Sequence, residues 1–126
     1  MKEKMLKIID ETVQFYGEDL SRRSVNQRLG QCEYEGPEGC RCAVGRKMND
    51  KDLAYIKKNH KQSEGLSKLY CHLETPEIRE LNIFFWIDLQ TLHDDRTCWG
   101  RKAGLSQHGI DWVNDMKKRI ANGVYA

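Results

Sequence analysis

A chain of 126 residues, 39% hydrophobic and 32% charged, has the size and balance of one ordinary globular domain, expected to span 1–126. A net charge of +2 is too small to imply duplex DNA binding by itself. The longest strongly apolar run, 81–89, contains Asn82 and Asp88 and falls far short of the ~20 residues that cross a bilayer, so no membrane association is expected.

The first residues, MKEKMLKIIDE, carry acidic groups where a signal peptide would be purely basic, and no long apolar stretch follows. A cytoplasmic location is therefore expected, and with it reduced thiols for the odd number of cysteines. Charge is segmented: residues 1–21 carry −2, 22–47 carry +3, 48–74 carry +1, 75–95 carry −4 and 96–126 carry +4. Such alternation suits either internal complementarity or a localised basic patch.

A helix is expected over 3–16. Leu6, Ile9, Val13 and Tyr16 recur at helical spacing, Met5, Ile8 and Phe15 widen the stripe, and Gly17 is the stop. Residues 18–30 read as a polar loop carrying Arg22, Arg23 and Arg28. An antiparallel hairpin is expected at 31–46, with Pro37-Glu38-Gly39 as its loop. That register places Cys32, Tyr34, Cys40, Cys42 and Val44 on one face and Glu33, Glu35, Arg41 and Ala43 on the other.

Asn49 or Asp50 caps a helix to about His60, with Leu53 and Ile56 inward. Leu66, Leu69 and Leu73 hint at a short helix after Gly65. Thr75 as cap, Pro76 and Glu77 open a single helix to about Leu92, the expected core element. Residues 94–105 read as a loop, and Ser106 caps a last helix closed by Gly123, with Ile110, Val113, Met116 or Lys117, and Ile120 inward. The expected class is α+β, mostly helical: about four helices around one small hairpin.

Three residue sets carry chemistry. Cys32, Cys40 and Cys42 supply three zinc ligands if they share a face, with Cys71, His72, His93 or Cys98 as the fourth. The C-x7-C-x-C spacing is not that of paired knuckles, however. On a strand Cys40 and Cys42 stand roughly 7 Å apart, wide for thiolates each ~2.3 Å from one ion. Small buried hydrophobes and a redox disulfide are the competing readings. His93-Asp94 suits a metal-dependent hydrolase, but a histidine at a helix C-terminus is also favoured by the dipole alone. Arg22, Arg23, Arg28, Arg46, Lys47, Arg101 and Lys102, with Trp99 and Trp112, suit a nucleotide-like anion or RNA. The competing reading leaves Trp112 in the core and the arginines solvated. There is no G-x-S-x-G elbow and no phosphate-loop motif, and no catalytic residue is assigned.

The stretch Gly30 to Asp50, GQCEYEGPEGCRCAVGRKMND, combines Cys-x-Tyr, a short turn and Cys-Ala-Val-Gly, and Leu89-Gln90, His93-Asp94 and Trp99 follow downstream. This order resembles a signature of small, largely uncharacterised bacteriophage and prophage proteins, over about two-thirds of the chain. Cys32, Tyr34, Cys42, Ala43, Val44 and Gly45 are the positions that match, while Cys40 has no place in the pattern. The resemblance implies a phage or prophage origin and action in the host cytoplasm. It favours a non-enzymatic accessory factor that counteracts a host defence by binding a host protein. The alternatives are sequestration of a nucleotide-derived signal or nucleic acid by the loop arginines, in a monomer or between subunits, and the His93/Asp94 hydrolase. No cofactor is expected unless the cysteines hold a structural zinc.

Overall fold

The computed structural model describes residues 1–26, 31–36 and 39–126, with 26, 31 and 32 described in their backbone only. Its first helix, α1 (Lys2–Glu18), buries Met5, Ile8, Ile9, Thr12 and Tyr16. Leu6, Val13 and Phe15 are only partly buried at the margins of that face. The helix runs past Gly17 and ends at Asp19, which is extended and caps the next turn, Leu20–Arg22. Gly17 instead meets the loop at Gly104, whose N–H donates to the Gly17 carbonyl at 2.9 Å.

The expected hairpin at 31–46 does not form, and with it the α+β class gives way to a helical one. Paired backbone among the described residues is a two-residue antiparallel ladder, β1 (Val25–Asn26) with β2 (Gln31–Cys32), and single bridges at Glu35–Arg41 and Trp99–Leu105. Segments elsewhere in the chain take the hydrogen bonds that a partner strand would have used. Glu33 N–H donates to Ser24 O at 3.0 Å and Tyr34 N–H to Gln62 O at 3.2 Å. Beyond Arg41 the chain coils into a 3₁₀ turn, Gly45–Lys47, closed by Arg46 N–H on Cys42 O and Lys47 N–H on Val44 O. The expected loop residues Pro37 and Glu38 lie outside the described residues.

Helix α2 (Asp50–Lys58) starts at Asn49, whose side chain accepts from Asp52 N–H. Asp52 itself is buried and accepts from Glu74 N–H, Thr75 N–H and the Thr75 hydroxyl, which ties α2 to the start of a later helix. The short α3 (Leu66–Leu69) passes into a 3₁₀ turn, Tyr70–His72.

The single helix expected over 76–92 is two. Helix α4 (Pro76–Glu80) stops at an extended Leu81, and α5 (Ile83–Asp94) restarts with Asn82 accepting from Phe84 N–H. Side chains satisfy the carbonyls exposed by the break. Trp86 Nε1–H donates to Ile78 O at 3.0 Å, and the Tyr70 hydroxyl donates towards Leu81 O at 3.1 Å. The break turns Phe85, Trp86, Leu89, Leu92 and His93 into the core, where α1 and α6 (Gln107–Ala121) pack on α5. Ser106 caps α6 through Gly109 N–H, as its position implies. Among the described residues six helices therefore stand where about four were expected.

Candidate functional site

The C-terminal turn of α1 and the coil after β2 meet in a cleft of about 350 Å³ lined by Phe15, Arg22, Gly39, Cys40, Arg41 and Arg46. Phe15 is available because it lies at the margin of the buried face of α1. Two cations stand over its ring, Arg22 at 4.7 Å and Arg46 at 3.8 Å from the centroid. Arg46 is carried by the 3₁₀ turn that replaced the expected strand. Arg41 is fixed through its backbone, since the hydroxyl of the buried Tyr16 donates to Arg41 O at 2.5 Å.

Each arginine leans on one carboxylate: Arg22 on Glu18 at 3.2 Å, Arg41 on Glu35 at 3.1 Å and Arg46 on Glu11 at 3.3 Å. Glu11 also takes Lys47 at 3.1 Å. Partial burial opposes ionisation of Glu11, but Lys47 and Arg46 outweigh it and hold the carboxyl below its ordinary range. These contacts leave one conspicuous gap. The Nη1 of Arg46 is buried and has no hydrogen-bond partner among the described residues. A buried guanidinium nitrogen without an acceptor costs free energy.

The other basic residues singled out from sequence go elsewhere. Arg23 donates to His93 O at 2.8 Å and Asp94 O at 2.9 Å, closing the end of α5. It lines a second cleft of about 490 Å³ with Trp99 and Arg96. Trp99 is buried, and its Nε1–H donates to Leu92 O at 2.9 Å, so it is a core residue that shows only an edge to that cleft. Lys47 pairs with Glu11 beside the arginine cleft. Arg101 and Lys102 are exposed on the loop after Trp99, and Arg28 lies outside the described residues.

Among the described residues, Cys40, Cys42 and His93 belong to no cluster of metal-ligating side chains. Cys42 is buried and accepts from Gly45 N–H at 3.3 Å, Cys40 donates to Ser21 O at 3.7 Å on the rim of the arginine cleft, and the Cys32 side chain lies outside the described residues. His93 is fully buried, and both its nitrogens are engaged. Ser24 N–H donates to Nε2 at 3.1 Å, so the ring proton sits on Nδ1 and is donated to Asp94 Oδ1 at 2.7 Å. Burial holds its pKa below the ordinary value, partly offset by Asp94. No lone pair remains on this ring for an ion.

Sequence reasoning missed Phe15 and Arg41 as cleft residues. The signal for Phe15 was its place off the 6-9-13-16 stripe of α1; Arg41 carried none, because the expected strand gave it a solvent face. The chain matches no protein-family model, no curated protein and no solved structure.

Proposed function

We propose that this chain is a non-enzymatic binding protein and that its arginine cleft holds a phosphate-bearing small molecule of nucleotide type. The convergence of Arg22, Arg41 and Arg46 on one cleft beside Phe15 carries this reading. Three guanidinium groups around one concavity suit an anion with several acceptor oxygens, and Phe15 offers an apolar wall to the rest of the ligand. The cleft volume falls within the range of small-molecule sites. Glu11, Glu18 and Glu35 hold the arginines in place, and a doubly charged phosphate competes with them for the same donors. The resemblance to phage and prophage proteins adds a setting, in which the ligand is a nucleotide-derived signal of host defence and the chain removes it from circulation.

A host protein as the partner is the second reading. It draws on Phe84 and Val124, which are 64% and 58% exposed. The His93/Asp94 hydrolase is the weakest of the three, because both ring nitrogens of His93 are occupied.

Calorimetry and thermal shift with inorganic phosphate, AMP, ADP and a cyclic dinucleotide test the first reading. At a hundredfold excess over Kd a ligand adds about 2.7 kcal/mol of stability. Arg46→Gln and Arg22→Gln should each abolish that gain. If none of these compounds binds, or the Arg46→Gln protein binds equally well, the cleft is not the site and a host protein becomes the leading partner.

A further inference from the structure

Asp95, Cys98 and His108 bring a carboxylate, a thiol and an imidazole together, and their donor atoms all lie within 4.8 Å of one another. None of the three serves the arginine cleft. Asp95 caps the 3₁₀ turn Arg96–Cys98 and Cys98 is its last residue, while His108 stands in the first turn of α6. The two elements are locked at the backbone. Ser106 N–H donates to Cys98 O at 2.9 Å, the Ser106 hydroxyl donates to Thr97 O, and Trp99 bridges to Leu105. Gly109 presses so closely that a Cβ there would stand 1.9 Å from Cys98 O. The three donors are thus held by a rigid joint.

The donors are also oriented. Oδ1 of Asp95 accepts from Thr97 N–H at 2.9 Å and from the Thr97 hydroxyl at 2.6 Å, which leaves Oδ2 aimed at His108 Nε2, 3.6 Å away. An outer hydrogen-bond partner of this kind orients a ligating carboxylate. The Cys98 thiol is buried and makes no hydrogen bond among the described residues. In a tetrahedral zinc site with Zn–N and Zn–O of ~2.0–2.1 Å and Zn–S of ~2.3 Å, donor atoms stand ~3.3–3.6 Å apart. The carboxylate and imidazole already meet that separation at 3.6 Å, and the sulfur lies within 4.8 Å of both.

We propose that Asp95, Cys98 and His108 form a three-ligand site for a zinc-type divalent cation, with the fourth position open to water. One thiolate, one carboxylate and one neutral imidazole balance the charge of the ion. The mixed soft and borderline donor set selects zinc over magnesium or calcium, which favour oxygen alone. The half-exposed Asp95 and His108 leave the fourth position facing solvent, as in open zinc sites.

The test uses the whole chain, stripped with a chelator and titrated with zinc against a chromogenic competitor, then with Co²⁺ under anaerobic conditions. The expected result is one equivalent of metal per chain and a thiolate-to-cobalt charge-transfer band. Asp95→Asn and His108→Ala should each weaken binding by about tenfold or more, and Cys98→Ser should remove the band. Cys71→Ser and His60→Gln should leave both readings unchanged. Should Cys98→Ser fail to fold, the exposed His108→Ala carries the test. Absence of stoichiometric binding, a band that survives Cys98→Ser, or full affinity in His108→Ala would each overturn the proposal.

Discussion

The backbone N–H of Ser24 donates to Nε2 of His93 at 3.1 Å, and this bond decides what the buried histidine can be. An amide can only donate, so the ring is neutral and its proton sits on Nδ1, facing Asp94. Protonation of Nε2 would place two donors against each other inside the core, next to the edge of Tyr16 at 4.8 Å between ring centroids.

Stability should therefore fall in mild acid. The folded-state pKa of His93 lies below the ordinary value of about 6.5, so below that pH the unfolded chain binds a proton that the folded chain refuses. Stability rises with pH across the window between the folded pKa and ~6.5, and is level above it, as far as this group is concerned. The slope approaches at most about 1.4 kcal/mol per pH unit. Urea unfolding of the native chain and of His93→Gln between pH 5 and pH 8 isolates the contribution. The glutamine protein should lack that part of the slope. A His93 ring that titrates by NMR near pH 6.5 in the folded protein, or as the Nε2–H tautomer, would refute the assignment.

Gly45 meets Tyr34 in a contact that only glycine permits. A Cβ at Gly45 would stand 2.0 Å from the Tyr34 carbonyl oxygen and 2.8 Å from its carbon. Tyr34 cannot retreat, because its N–H is held by Gln62 O and its hydroxyl by Glu64 O at 2.6 Å. Gly45→Ala should cost about 3 kcal/mol or more, at or above the upper end of ordinary overpacking. Gly65→Ala, where the nearest atom would lie 3.9 Å away, is the control and should stay within about 1 kcal/mol. Equal midpoints for the two variants in chemical denaturation would sink this account. Tyr34 and Gly45 thus have a packing reason independent of any ligand.

Local signals were legible where the chain's own neighbours decide the structure. The caps at Asn49 and Ser106 and the Val113 and Ile120 positions of the α6 stripe needed no tertiary information, whereas Ile110, expected inward, is 41% exposed. The break between α4 and α5 did, because the carbonyls it exposes are satisfied by Trp86 and Tyr70, residues 8 and 11 positions from their partners. The hairpin had both turn chemistry and alternation in its favour. It lost to longer-range partners, Ser24 and Gln62, that took the amides of Glu33 and Tyr34. The site followed the same division. The arginines could be read as a set, but which of them converge depended on Phe15 standing off the core stripe, and Arg23 and Trp99 were drawn away to the end of α5. Asp95, Cys98 and His108 have no knuckle spacing and come together only through the docking of α6 on the preceding turn.

The cysteines should separate by reactivity in the folded, metal-free chain. Cys71 is exposed and Cys40 half-buried on the cleft rim, whereas Cys42 and Cys98 are fully buried. Burial, reinforced by the nearby Asp95, pushes the Cys98 thiol up to about 11, so almost none of it is thiolate at neutral pH. Since the thiolate is the nucleophile, Cys98 is slowed twice, by access and by protonation. Brief alkylation at pH 7.5, read by peptide mass mapping, should modify Cys71 first and Cys40 next. Cys42 and Cys98 should label only after unfolding in denaturant. Rapid native labelling of Cys98 would mean that the joint between Arg96–Cys98 and α6 opens readily, and the rigid presentation of its donors would fall with it. Protection of Cys40 by a phosphate ligand, with Cys71 unaffected, would tie the arginine cleft to its occupant in the same experiment.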